Sequence, residues 1–177
     1  VASQNEGVWI EADRKRWFNT GDLARQDAHG YFWMTGRKKE LIIRGGHNID
    51  PKMIEEAMHA HPNVSMAAAV GRPDARVGEL PVLYYQSQDG SDVALDELAA
   101  FAVDNIPERA AIPKDFIRLS ALPLTTIGKI NKLALTMLEA ERTVRSESAA
   151  TRAELTALTV EQDPSRGVLV RAKVASG

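Results

Sequence analysis

The sequence predicts an α+β fold: a small domain built on a central three-stranded sheet flanked by helices, with N-terminal β-hairpin strands before it and a C-terminal helix and β-hairpin after it. Three observations carry this reading. Short runs rich in β-branched, aromatic and small apolar residues alternate with amphipathic stretches across residues 41–138. Gly, Pro and Asp clusters separate these runs at intervals suited to turns. Over 177 residues the chain is 44% hydrophobic and 26% charged, a mixture that can bury a core.

Residues 8–35 read as two or three strands and a hairpin, with aromatics in "RWFNTGDL" and "GYFWMTG" set apart by a turn cluster at 27–30. This piece is too short to close a sheet over its own core, so it is expected to be the edge of a larger domain. The run 41–43 follows as a short strand, then Gly45-Gly46 as a sharp turn. Asp50-Pro51 reads as an N-cap with proline at the first helical position, opening a helix over 51–61 with Ile54, Ala57 and Met58 on one face and Pro62 marking its end. "VSMAAAVGRPD" and "LPVLYYQS" are buried strands. "LDELAAFAVDNI" places Leu95, Leu98, Ala99, Ala102 and Ile106 at helical spacing, and "DFIRLS" supplies the third strand.

From residue 132 onward the composition favours a helix, then two runs of period-two alternation flank a Pro/Gly turn at 164–167. Val168, Val170, Ala172 and Val174 alternate with Leu169, Arg171 and Lys173, so the first set is expected to face a core. Three segments result: 1–38, 39–138 and 139–177.

Composition narrows the function. Twenty-two basic against 24 acidic side chains give a net charge of −2, which offers no basis for a nucleic-acid or membrane surface as the main partner. Without cysteine the chain has no disulfide, zinc-thiolate site or thiol nucleophile, and a cytoplasmic location is expected. No apolar run is long enough for a membrane span. The opening "VASQNEGVWIEADRKRW" has no signal-peptide order and no initiator methionine, so it reads as cut from a longer chain. His59 and His61 are two apart and share no helical face, His29 sits in a turn, and no metal is expected in this chain.

The stretch with chemical interest is "PLTTIGKINK". It is not a phosphate cradle: that loop needs glycine where Pro123 stands and Ser or Thr where Ile130 stands. A solvated turn and a movable cation both remain open readings of Lys129. "PLTTIGK", "WFNTGDL" and "GRKKELIIRGGHNIDPKMIEE", occurring in this order, resemble the adenylate-forming acyl-coenzyme A synthetases of the AMP-binding superfamily.

The resemblance implies a C-terminal lid domain at 39–138, preceded by a remnant of the large N-terminal adenylation domain at 1–38 and followed by an extension at 139–177. It implies ATP, Mg2+ and coenzyme A as cofactors of the intact enzyme, none held tightly by this piece alone. The missing N-terminal domain is the partner, a small carboxylic acid the substrate, and the isolated fragment is expected to be inactive. Asp22 matches the ribose-binding aspartate, a task suited to a carboxylate that accepts from two vicinal hydroxyls. Arg37 matches the arginine on the ribose and phosphate side. Lys39 stands at the hinge position. Gly45 and Gly46 match the turn that lines the pantetheine tunnel, with Arg44 and Asn48 as further coenzyme A contacts. Lys129 matches the catalytic lysine, a compact ammonium between an attacking carboxylate and the α-phosphate. Two alternatives stand beside this reading. One is an adenylation domain serving a carrier protein, whose glycine stretch usually reads "VKIRGxRIE" rather than "LIIRGGHNID". The other is a non-catalytic α+β binding module.

Overall fold

The computed structural model describes residues 7–88, 91, 93–163 and 167–175. By internal contacts the chain divides into two compact units, one ending at Leu41 and one beginning at Ile42.

The first unit holds two separate antiparallel hairpins, so the strands number four where two or three were expected. β1 (Trp9–Ala12) pairs with β2 (Lys15–Phe18), and β3 (Asp22–Gln26) with β4 (Phe32–Arg37). Asp13 and Arg14 both take positive φ, the twist a two-residue hairpin turn needs, although neither is the glycine that usually supplies it. The second turn is held by Asp27, whose carboxylate accepts from the backbone of His29 and Tyr31 and from the Trp33 indole. Trp17, Phe18, Tyr31, Phe32, Trp33 and Met34 are all exposed in this unit. Two-stranded hairpins have no second layer to bury such side chains.

The second unit is ordered around one five-stranded sheet. β5 (Ile42–Arg44) and β6 (His47–Ile49) form a tight hairpin, α1 (Pro51–His59) follows, and β7 (Val64–Asp74) turns back antiparallel into β8 (Gly78–Ser87). After α2 (Leu95–Asn105), β9 (Phe116–Arg118) joins β8 in parallel. The order is β6-β5-β8-β7, with β9 also on β8. The three expected strands are thus present, and the short β5–β6 hairpin enlarges their sheet.

Both faces of β7 and β8 are covered, which is why these strands read as nearly unbroken apolar sequence. Ala67, Ala69, Leu83 and Tyr85 face a core with Ile54 and Met58 of α1 and Leu98 and Ala102 of α2. Ala68, Val70, Val82 and Tyr84 face the other side and pack with Leu122 and Leu135. Leu135 belongs to α3 (Lys132–Ala150), which runs without a break through the 138/139 boundary drawn from the sequence.

The helix ends are built as their residues dictate. Asp50 caps α1 by accepting from Lys52 N–H at 3.0 Å. The helix stops at His59, two residues short of the expected end. His61 instead turns inward, accepting from Asn63 N–H on Nδ1 and meeting the Glu97 carboxylate at 3.3 Å with Nε2. Leu95, expected on the buried face of α2, is exposed because it opens the helix.

β10 (Leu155–Asp163) and β11 (Gly167–Val174) form the expected C-terminal hairpin, packed on α3. The turn expected at 164–167 falls mostly on residues 164–166, outside the described residues. The proposed burial of β11 is corrected. Val168 and Val170 are half-buried, but so is Leu169, while Ala172 and Val174 are exposed. The reason is the lack of a continuous second layer: alternation in a sequence marks a face, and only a packed partner buries it.

Candidate functional site

In the first unit, two of the expected nucleotide-binding residues meet. Asp22 and Arg37 are register partners across β3 and β4, and the Arg37 Nε donates to an Asp22 carboxylate oxygen at 2.8 Å. That hydrogen bond and the Asp22 charge raise the Arg37 pKa further above its ordinary value. The approach to Asp22 is set by "NTG": Gly21 N–H donates to Asn19 Oδ1, Asp22 N–H donates to Thr20 Oγ1, and Gly21 takes a φ of +73°. A carboxylate and a guanidinium are thereby presented side by side, an acceptor pair for vicinal hydroxyls next to a planar cation.

Lys39 lies in a single 3-10 turn, Lys38–Glu40, none of whose residues is buried. The division between the two units falls just after it.

In the second unit, Gly45 and Gly46 are the two central residues of the β5–β6 turn, with φ of +54° and +86°. A side chain at either would meet nothing within 4 Å, so their requirement is conformational rather than steric. Arg44 turns its guanidinium back to the Ala110 carbonyl, and His47 Nδ1 lies 2.9 Å from the Glu108 carboxylate. Asn48 is exposed on β6, opposite Ile43 in the register. Beside the turn an open groove of about 540 Å³ is lined by Arg44, Gly45, His47, Arg109 and Lys114, among others. Several basic side chains around one glycine turn make a site suited to an anionic ligand.

Lys129 sits on the loop between β9 and α3, and each unusual residue of "PLTTIGK" has a task there. Leu124 and Ile130 form an isolated antiparallel bridge, and the Pro123 carbonyl accepts from Asn131 N–H at 2.8 Å. Thr125 N–H donates to the Lys129 carbonyl at 2.7 Å, while its own Oγ1 accepts from Lys129 N–H at 3.1 Å. Gly128, at φ +78°, closes the turn by donating to the Thr125 carbonyl. Leu122 and Ile130 root the loop in the second core, and Lys132 ties its far end to Glu55 at 2.9 Å. The loop is internally locked, yet the Lys129 side chain is exposed.

Residues 53–129 match the family described as the AMP-binding enzyme C-terminal domain. That segment belongs to the family. The match ends on Lys129, so "PLTTIGK" lies within it. Among relatives, the marinolic acid–CoA ligase of a Pseudoalteromonas species is 52% identical over 76% of this chain and 20% of its own length. The indoleacetate–CoA ligase of Aromatoleum aromaticum is 37% identical over 75% of this chain and 26% of its own. Among solved structures, ATP-bound MatB from Rhodopseudomonas palustris superposes with a TM-score of 0.70 at 28% identity, covering 80% of this chain and 27% of that one. The chain therefore spans about a quarter or less of the length of these AMP-binding enzymes.

Sequence reasoning missed several residues that shape the domain. Glu79, Glu108, Arg109 and Lys114 belong to no motif, and only folding brings them beside the glycine turn. Glu139 had a visible signal, since it falls four residues after the buried Leu135 and so interrupts an apolar stripe. It is fully buried, accepting from Tyr84 Oη and Arg72 Nε. Among the described residues no group of three or more His, Asp or Glu side chains converges to hold a metal ion, and no helix is long and apolar enough to cross a membrane.

Proposed function

We propose that this chain is the C-terminal part of an ATP-dependent acyl-CoA ligase, which activates a carboxylic acid as acyl-AMP and passes the acyl group to coenzyme A. The observation that carries this is the Lys129 loop: an ammonium held out on an internally hydrogen-bonded turn, inside the AMP-binding C-terminal domain. A preorganised cation of this kind stabilises the charge that builds on the α-phosphate when a carboxylate attacks it. The thiol then has to approach the same carbonyl, and a lysine on a movable domain can leave. Lys39 serves as the hinge of that movement, its own side chain exposed in a turn none of whose residues is buried.

Asp22 and Arg37 contribute the ribose and phosphate contacts from the remnant of the N-terminal domain, whose remainder is the chain's partner. The Gly45–Gly46 turn lines the pantetheine path, Arg44 lines the basic groove where the phosphates of coenzyme A fit, and Asn48 on β6 is a further coenzyme A contact. ATP brings Mg2+ with it. Among the described residues no metal-binding cluster is assigned to that ion. The lack of cysteine accords with the reducing cytoplasm as the place of work. A carrier-protein adenylation domain remains the second reading only at the level of the acceptor, since "LIIRGGHNID" fits the ligase pattern better.

The test uses the full-length protein that carries this chain, assayed for its two half-reactions separately. Lys129→Ala should slow acyl-AMP formation by on the order of a hundredfold, the usual effect of removing one preorganised charge-stabilising group, while thioester formation from supplied acyl-AMP stays near normal. Gly46→Asn should do the reverse. Asparagine tolerates positive φ, so it adds bulk with little strain. Equal loss of both half-reactions in Lys129→Ala, or no loss, returns the lysine to an ordinary solvated turn.

A further inference from the structure

The β5–β6 hairpin carries the glycine turn, yet its backbone ladder to the rest of the sheet is short. β5 is three residues long, and its ladder to β8 has a single register pair, Arg44 with Gly78. Three-residue strands do not hold a register unaided. Gly45 N–H donates to the Val77 carbonyl at 2.7 Å, which pins the turn itself. Beyond the burial of Ile42 and Ile49 and the contacts of Arg44 with Ala110 and of His47 with Glu108, one further bond ties β5 to β8 through a side chain: Ile43 N–H donates to a Glu79 carboxylate oxygen at 2.7 Å. A carboxylate in this role makes a charge-assisted bond, roughly twice as strong as a neutral one.

Glu79 occupies space that another residue gives up. Its register partner is Pro73, and Gly71, two positions along β7, lies on the same face of the sheet. A Cβ built on Gly71 would come within 2.7 Å of the Glu79 carboxyl carbon and within 2.8 and 2.9 Å of its oxygens. Gly71 has no positive φ that would call for glycine on conformational grounds. The neighbouring Gly78 permits the approach from the other side, because a Cβ there would stand 2.9 Å from the Ile43 carbonyl. The carboxylate thus reaches the Ile43 N–H through the space Gly71 leaves open, and Gly78 gives way to the carbonyl of the same residue, two positions before Gly45.

We propose that Glu79, with Gly71 as the space it fills, is the positioning residue of the thioester-forming step: it holds the β5–β6 hairpin so that the Gly45–Gly46 turn stays where the thiol must pass. The inference rests on the ligase reading for its chemical consequence, and on the geometry alone for the positioning. Glu79 does not touch the reacting atoms. It acts through Ile43.

The experiment uses the full-length protein and four variants: Glu79→Leu, Glu79→Gln, Gly71→Ala and the double variant Gly71→Ala/Glu79→Ala, with Glu79→Ala as reference. Thioester formation from supplied acyl-AMP should fall about tenfold to a hundredfold in Glu79→Leu and Gly71→Ala, the range expected when a remote change misplaces a site by an ångström. Adenylation by pyrophosphate exchange should stay within about twofold, a separation that general destabilisation would not produce. Glu79→Gln keeps an acceptor oxygen and should restore most of the rate. Gly71→Ala should add no further loss in the Glu79→Ala background, where the carboxylate it displaces is already gone.

Amide exchange gives a readout without chemistry. Protection of Ile43 and Gly45 should drop in Glu79→Leu and Gly71→Ala and persist in Glu79→Gln. That pattern supports the positioning even if the wild-type protein makes no thioester, in which case the ligase reading alone has failed. Unchanged protection overturns the proposal. So does parallel loss of both half-reactions, or a Gly71→Ala effect that remains undiminished in the Glu79→Ala background.

Discussion

The buried Glu139 offers the most demanding test of how this domain is held together. Its side chain is fully buried on α3, where it accepts from Arg72 Nε on β7 and Tyr84 Oη on β8. Arg72 also donates to Asp115 at 2.7 Å, and its side chain is 26% exposed. Burial, then the bond to Glu139 and its charge, push the Tyr84 phenol well above its usual pKa. Replacing Glu139 with leucine strands the tyrosine hydroxyl and half of the guanidinium's bonding. Breaking a buried pair costs about 3–5 kcal/mol, and since Asp115 still holds Arg72, which water also reaches, a loss of about 3 kcal/mol is expected. Tyr84→Phe removes one charge-assisted bond and should cost about 2 kcal/mol.

The triple variant Arg72→Met/Tyr84→Phe/Glu139→Leu removes the buried pair and the hydroxyl together, and leaves the partly exposed Asp115 beside Arg142. It should lie within about 1 kcal/mol of the wild type, because well-packed apolar replacements usually match a buried ionic network. The assay is urea unfolding followed by far-UV circular dichroism. Trp9, Trp17 and Trp33 all belong to the first unit, so tryptophan fluorescence would report the wrong part of the chain. If Glu139→Leu costs under about 1 kcal/mol, or the triple variant is as unstable as the single, the network is not what anchors α3 to the sheet.

Three further outcomes are expected. The 177-residue chain alone should show no pyrophosphate exchange with ATP and any carboxylic acid, and exchange above background would overturn the division of labour proposed between this chain and a larger domain. Because the folded Tyr84 pKa lies above the ordinary 10.0, the folded state keeps a proton that the unfolded chain loses. Stability should therefore fall as pH rises above about 10, and Tyr84→Phe should flatten that limb of a pH-stability profile by its own share. Asp50→Ala should lower the stability of the second unit by about 1 kcal/mol in the same urea titration, while Asp50→Ser should lose much less, since serine also caps α1.

Much of the fold and part of the candidate site could be read from local sequence. Asp50-Pro51 marks the start of α1, Gly45-Gly46 the hairpin turn and "PLTTIGK" the loop, because in each the requirement is met within a few residues: a cap bond, a positive φ, a threonine that bonds across its own turn. Buried apolar runs likewise identified β7 and β8 as strands, and alternation the C-terminal hairpin. What periodicity lacked was a partner. It marked one face of β11, but burial there depends on what packs against each residue, and Val174 is left exposed. The same limit hid Glu79. No neighbour in the sequence marks it, and its significance arises where β5, β7 and β8 bring the Ile43 amide, the vacant side of Gly71 and one carboxylate together. Asp22 and Arg37 show both sides: each residue type is legible in its motif, whereas their bond exists only through the β3–β4 register. Local conformational preferences act over a few residues and survive in any context, so the sequence alone determined the turns, caps and strand periods. Close approaches between distant residues are determined by packing, and for this chain the tertiary structure alone decided them.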